Sequence, residues 1–472
     1  MITVDEYENF DAVGLATLIA DKEVSALEVV ESAIARIESR NSALNAVVAT
    51  LFDDARAAVG QGLPRGPLSG VPYLVKDLNT WIEGVPATNG SRAFREHVPN
   101  TDSILISRLR AAGLVILGKT NTPELGLNIC TASSLFGATK NPFDEQRSAG
   151  GSSGGSACAV AAGMVPAAHA TDSGGSIRIP ASNCGLFGLK PTRARVPLGH
   201  DKPEGLAGFS SVHAVTHSVR DSAVLLDVTA GPMAGDIYSA PAMTSSFLDS
   251  IEEPLQSVRI ALWTEGFAGE KIDPVCKDAA KQAAVLCESL GHDVEETRPD
   301  IDGDSLREAF DVLFSANIHN VVERYRVENP SIDIETVFEP VTASCSRAAG
   351  RFSAADYAAG IECIQKAARD LSRFFAKHDV LLTPTLAKPP LPLGEISMMM
   401  DDWTSYLDKM LNEIPFTPLF NATGAPAASL PLAKCPDGLP VGVQIGAELG
   451  KENLLLRLSR ALELAAPWHQ RI

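Results

Sequence analysis

Three positions in this chain have the side chains and surroundings that covalent chemistry needs: Ser152, Ser176 and Lys76. The serines stand in two glycine-rich segments, Gly150-Gly151-Ser152-Ser153-Gly154-Gly155-Ser156 and Asp172-Ser173-Gly174-Gly175-Ser176-Ile177-Arg178. Successive backbone N–H groups in such a segment can cradle phosphate. Neither segment carries the GKS or GKT ending of a phosphate loop, and no GxGxxG opens a helix after a strand. Gly151 to Gly155 matches the G-x-S-x-G of a nucleophile elbow, centred on Ser153, but that motif needs a strand directly before the turn. The residues before it, Asn141 to Arg147, read as a polar loop. A lone glycine-rich loop is usually just a turn. Two such loops with serines, plus a lysine after an apolar run, fit a fourth reading better. In Ser173-Gly174-Gly175-Ser176 the glycines let several N–H groups converge on one point, where a carbonyl oxygen could sit as it becomes negative. Donors of that kind contribute about 3–4 kcal/mol each in acyl transfer. Ser176 ends the loop and could attack the same carbonyl.

A serine nucleophile needs a base. None of the nine histidines lies in these segments; His169 is near and reads as a partly buried polar residue. Lys76 follows Val71-Pro72-Tyr73-Leu74-Val75, so its amine is a candidate for desolvation. Desolvation lowers a lysine pKa and frees its lone pair near neutrality. Asp77 is adjacent, but side chains alternate along a strand, which points it to the opposite face.

The elements that must position these groups are legible in outline. Residues 11–59 read as helical, with Ser25 and Glu28 as a capping box. Residues 71–77 and 115–117 read as buried strands around a helix at 102–113, and 157–163 as a tightly packed helix. Residues 137–156 read as a long loop and 171–193 as a second glycine-rich segment. Residues 305–377 are helix-rich, with breaks near Pro330, Pro340 and Gly350; a strand follows at 380–382, another at 441–446 and a last helix at 451–464. Alternating strands and helices predict an α/β fold with a mostly parallel, mixed, twisted central sheet covered on both faces by helices. We expect one domain over residues 1–472, with a helical arm (1–60), a core (66–232) and a variable region for substrate choice (300–410).

The 472 residues carry a net charge of −18, which argues against nucleic acid or an anionic membrane as a partner. Eight cysteines form no CxxC pair or metal-ligand spacing, and read as buried free thiols in a reducing compartment. The opening MITVDEYENF lacks an apolar segment, so no secretory leader is expected, and no apolar run of 18 residues suggests a membrane helix. A cytoplasmic enzyme with no cofactor and no metal is the expectation.

The segments GGSSGGSA (150–157) and TDSGGSIRIPASNCGLFGLKPT (171–192), with serines 24 residues apart, resemble the signature of the amidase signature family. GVPYLVKD (70–77) resembles its catalytic-lysine motif, and the likeness continues through GKTNTPELGLN (118–128), FGATKNPFD (136–144), FNATGAPAASLPL (420–432) and GLPVGVQIG (438–446). The resemblance implies the family's fold and a triad: Ser176 as nucleophile, Ser152 as relay after a cis peptide bond from Gly151, and Lys76 as base. It implies an oxyanion hole from the N–H groups of Ser173, Gly174, Gly175 and Ser176. Asp172 and Arg178 would hold the loop's shape, and Asn128, with Ser152, would contact substrate. Ser173 departs from the Thr, Ile or Gly common there, and His213-Ala214 replaces a frequent Gly-Pro.

Within the family the likeness is to bacterial 6-aminohexanoate cyclic-dimer hydrolases, which implies an amidohydrolase acting through an acyl-enzyme on a small linear or cyclic amide. Aryl-acylamide or carbamate hydrolysis, or a role as the glutaminase component of a tRNA-dependent amidotransferase, stands as the alternative. The partner would be a small-molecule amide; a homodimer is left open. Met398, Met399, Met400 and Trp403 are candidates for a soft apolar mouth.

Overall fold

A computed structural model describes residues 4–198 and 204–468. The first three residues of the N-terminal arm and the last four of the chain lie outside these. Eleven strands build one sheet: β1 (Val47–Thr50), β2 (Pro72–Lys76), β3 (Val115–Thr120), β4 (Ala167–Asp172), β5 (Phe187–Lys190), β6 (Ser211–Thr216), β7 (Arg259–Leu262), β8 (Asp293–Glu296), β9 (Val380–Pro384), β10 (Ala427–Lys434) and β11 (Pro440–Gly446). Their order is β1-β3-β2-β4-β6-β5-β10-β11-β9-β7-β8. Parallel pairs form two blocks, β3-β2-β4 and β9-β7-β8. Antiparallel strands join the blocks and β1 closes one edge, so the sheet is mixed and flanked by helices, in agreement with the sequence reading. Strands β2, β3 and β4 are buried along their whole length, which explains the apolar runs that open β2 and β3 in place of alternation.

The helical reading of residues 11–59 needs one correction. Helix α1 (Ala26–Leu44) carries the expected Ser25–Glu28 capping box and buries Val29, Val30, Ala33, Ile34 and Ile37. The chain then breaks at Asn45, in the left-handed region (φ 53), and Val47 to Thr50 pair with β3. Two adjacent valines and a threonine favour the pleated strand over a continued helix. The arm is therefore stitched into the sheet as well as laid upon it.

Both glycine-rich segments are more ordered than loops. Helix α2 (Gly154–Ala161) starts inside the first and is almost wholly buried. A hairpin of residues 140–141 and 144–148 precedes it, in place of the expected long loop. The second segment leaves β4 at Asp172, turns through Gly175, forms helix α3 (Arg178–Asn183) and re-enters the sheet as β5.

Residues 300–413 build a second apolar core beside the sheet. Helices α4 (Gly303–Glu328), α5 (Pro340–Ala348), α6 (Ala354–Phe375) and α7 (Trp403–Glu413) supply it, with Leu127, Ile129 and Ile179 from the glycine-rich side. The breaks fall where Pro330, Pro340 and Gly350 placed them. Phe310 and Phe314 stack at 3.8 Å, and Phe209 meets both edge-on. Met398 and Trp403 are buried in this core, Trp403 donating Nε1–H to Asp311 at 2.6 Å, whereas Met399 is exposed. All eight cysteines are free, seven of them buried, as read. Among the described residues no helix is long and apolar enough to cross a membrane.

Candidate active site

Strand β2 ends at Lys76 between β3 and β4, buried along its whole length. The amine is sealed from solvent. It donates to three hydroxyl oxygens: Ser152 Oγ at 2.7 Å, Thr171 Oγ1 at 2.8 Å and Ser153 Oγ at 2.9 Å. Among the described residues no carboxylate touches it. Burial therefore pushes Lys76 well below the ordinary lysine range, and Asp172, acting at a distance, offsets this only in part. Hydroxyls partner a neutral amine readily but compensate a buried charge poorly.

Asp77 points the other way, as strand alternation requires. It pairs with buried Lys119 and accepts the Thr88 N–H at 3.2 Å. Lys119 also donates to the Pro86 carbonyl at 2.8 Å, so this pair ties the loop after β2 to β3. His169 is buried beneath the lysine, and its Nδ1 accepts the Lys76 backbone N–H at 3.3 Å. Burial, followed by the nearby Lys76, pushes it down to about 3, which keeps it neutral. His213 finds Ser222 at 2.8 Å, an internal pair that accounts for a histidine at this position.

The peptide bond Gly151–Ser152 is cis. Gly151 has no room for a side chain: a Cβ there would come within 2.7 Å of the Asn128 carbonyl oxygen. Ser153 does not sit on an elbow. Its hydroxyl reaches Lys76, accepts the Thr171 N–H at 3.2 Å and donates to the Thr171 carbonyl at 3.2 Å. Ser153 and Thr171 thus hold the lysine amine, and neither was singled out for this from the sequence. Their one signal was proximity to the motif serines.

Ser176 follows Gly175, whose φ of +135 is one a side chain would resist. Ser176 is half-buried, and its carbonyl accepts the Ser153 N–H at 3.3 Å, which joins the two glycine-rich segments. Asp172 organises the loop between them. Its Oδ1 accepts the Gly175 N–H at 2.8 Å and its Oδ2 the Ile177 N–H at 3.1 Å. Gly175 was expected among the oxyanion donors; its N–H is instead directed to Asp172, because that carboxylate sits inside the turn. The N–H groups of Ser173, Gly174 and Ser176 remain as the loop's candidates. Thr417 Oγ1 donates to the Gly174 carbonyl at 2.6 Å, and Ser173 Oγ meets Ser210 Oγ at 2.8 Å.

Arg178 locks Asp172 from below. It donates to both carboxylate oxygens at 3.0 and 2.8 Å, to the Thr417 carbonyl at 2.9 Å, and to Gln444 and Asn421 side-chain oxygens at 2.7 Å each. All five guanidinium N–H groups are used, which is how a fully buried arginine is tolerated. Burial alone would raise the Asp172 carboxyl; Arg178 and Asn421 hold it down at about 2. Helix α8 (Thr417–Thr423) brings Thr417 and Asn421 here; Asn421 lies in the FNATGAPAASLPL segment, which gave it no role.

Asn128 borders the cis bond through its backbone, its carbonyl oxygen lying 2.7 Å from where a Gly151 Cβ would stand. Its Nδ2 donates to the Ile396 carbonyl at 3.1 Å and its Oδ1 accepts the Cys130 N–H at 2.9 Å, so its amide ties the turn to the segment before α7. Among the described residues no group of three or more His, Cys, Asp or Glu is placed to hold a metal ion.

A family model described as amidase matches residues 28–456. The chain belongs to the amidase family. It is an enzyme of the kind that hydrolyses amide bonds. This amidase is 37% identical to a 6-aminohexanoate-cyclic-dimer hydrolase of Paenarthrobacter ureafaciens, over 97% of its own length and 95% of that protein's. It is 31% identical to an acylamidase of Rhodococcus erythropolis, over 97% of its own length and 95% of that protein's. It is also 35% identical to one component of the glutamyl-tRNA(Gln) amidotransferase of a Synechococcus strain, over 94% of each. The solved structure of a 6-aminohexanoate cyclic dimer hydrolase complexed with substrate superimposes on the amidase with a TM-score of 0.93, at 35% identity and 98% coverage of both chains.

Proposed function

We propose that this amidase works through an acyl-enzyme on Ser176, with Ser152 as relay and Lys76 as base, and that its substrate is a small linear or cyclic amide of the 6-aminohexanoate kind. The observation that carries this is the 2.7 Å contact between the sealed Lys76 amine and Ser152 Oγ, at an amine with hydroxyl partners only.

Neutral Lys76 takes the Ser152 proton as Ser152 takes that of Ser176. Ser176 then attacks the amide carbon. The N–H groups of Ser173, Gly174 and Ser176 receive the oxyanion. Ser152 passes a proton to the departing amine, and water releases the acyl group by the same relay in reverse. Asp172 and Arg178 keep the loop in shape throughout.

The substrate class rests on the 97% coverage and the 0.93 superposition with the cyclic-dimer hydrolases. The 35% identity to a component of a tRNA-dependent amidotransferase supports a second reading, glutamine hydrolysis that feeds ammonia to a partner chain. One experiment separates them: the purified chain is given 6-aminohexanoate cyclic dimer, its linear dimer, an aryl acylamide, a carbamate and glutamine, and products are read by mass spectrometry. Turnover of glutamine alone, or of no aliphatic amide, overturns the first reading.

A further inference from the structure

Glu124 is fully buried on the turn Glu124–Gly126 that follows β3, and nothing in the relay just described uses it. It joins three segments far apart in the chain. Its Oε2 accepts the Ser91 hydroxyl at 2.6 Å, and its Oε1 accepts the backbone N–H of Glu339, at the N-terminus of α5, at 2.7 Å. The turn it begins runs along Ser152. Leu125 has a φ of +51 and donates its N–H to the Asn89 carbonyl at 2.9 Å. A Cβ on Gly126 would stand 3.2 Å from Ser152 Oγ, so the Gly126 backbone is a wall of the space that hydroxyl occupies. One residue on, the Leu127 carbonyl accepts the Tyr406 hydroxyl at 2.6 Å. The wall is fastened by Glu124 at one end and by α7 at the other.

The charged group facing Glu124 is Glu339. One Glu339 oxygen accepts the Ser134 N–H; the other has no hydrogen-bond partner among the described residues. Arg92 is the cation that acts on Glu339. Burial and then Glu339 push the Glu124 carboxyl up to about 7, so it is readily neutral where an exposed glutamate would be charged.

We propose that Glu124 is a positioning residue for acylation: by fastening the Ser91 loop, the 124–127 turn and the start of α5 to one another, it fixes the wall against which the Ser152 hydroxyl is aimed. This rests on the Ser176–Ser152–Lys76 reading. A misplaced relay lowers the rate of acylation without weakening substrate binding to the same degree.

The test compares Glu124→Ala, Glu124→Gln, Ser91→Ala and Ser176→Ala, with kcat, KM, thermal melting and the rate and final stoichiometry of labelling by a fluorophosphonate. Glu124→Ala is expected to lower kcat and the labelling rate by about 10-fold to 100-fold, with KM within about threefold and full final labelling. Glu124→Gln, neutral and isosteric, restores kcat to within about threefold of wild type. Ser91→Ala, which leaves the carboxyl in place, gives an intermediate loss in kcat and serves as the decisive variant if Glu124→Ala does not fold. Wild-type kcat in Glu124→Ala or, where that variant is unfolded, in Ser91→Ala overturns the proposal. So does a loss that glutamine fails to rescue. Activity in Ser176→Ala instead sinks the nucleophile assignment, whatever the Glu124 variants do.

Discussion

Lys76 Nζ stands 2.7 Å from Ser152 Oγ, and both groups are shut off from solvent. A charged ammonium at that place would lack a carboxylate to balance it. With Lys76 as the proposed base, activity should rise with pH as the amine loses its proton, at a pH well under the ordinary lysine range. Lys76→Met and Lys76→Arg should each lower kcat by about 100-fold to 10,000-fold, the arginine because it stays charged. The folded amine titrates below the unfolded one, so the unfolded chain holds more protons between those two values. Wild-type stability should then rise, relative to Lys76→Met, as pH is raised toward the ordinary lysine value. Melting curves across that range check the sign.

Ser176→Ala should abolish both hydrolysis and fluorophosphonate labelling with melting unchanged. Ser152→Ala should keep the labelling site but slow labelling and turnover by about 100-fold or more, because the nucleophile remains and its proton path is cut.

Removing one partner of the Asp172–Arg178 pair strands a buried charge. Arg178→Met or Asp172→Ala is expected to cost about 3–5 kcal/mol in denaturant unfolding. Asp172→Asn keeps the shape but surrenders part of the hold on the Gly175 and Ile177 N–H groups. It strands the Arg178 charge as well, so it should lower both denaturant stability and kcat.

Glu124 gives a pH-dependent stability of definite sign. Its folded value, about 7, lies above the ordinary 4.5. The associated stabilisation is full below pH 4.5 and is lost as pH rises through 7, a change of about 3 kcal/mol. Relative to Glu124→Gln, wild type should lose melting temperature between those values and hold a constant difference above them.

The sequence reading singled out Ser176 and Lys76 locally, by glycines and by an apolar run, and Ser152 only through the family resemblance. It placed Asp77 on the far face by alternation alone. It could not reach Thr417, Asn421 and Gln444, which bond Arg178 from more than two hundred residues away in sequence. Ser153 was set aside as an elbow serine because the residues before it read as a polar loop; the structure puts a short hairpin there. The Gly175 N–H was counted as an oxyanion donor because a motif lists amides without saying where a neighbouring carboxylate turns them. Val47 to Thr50 were absorbed into a helical stretch: four residues are too short to outweigh the helical periodicity on either side.

The order of strands also governs when this enzyme can come into being. β10 and β11, from residues 427–446, lie between β5 and β9, both made earlier by the ribosome. Until those two strands emerge, the halves of the sheet face each other across a gap, each with an unpaired edge open to other chains. The residues that brace Arg178 arrive in the same late stretch. A nascent chain stopped near residue 410 would thus carry every member of the proposed serine–lysine relay and still lack the strands and helix that bond Arg178, so it should be inactive until residues 417–446 are made.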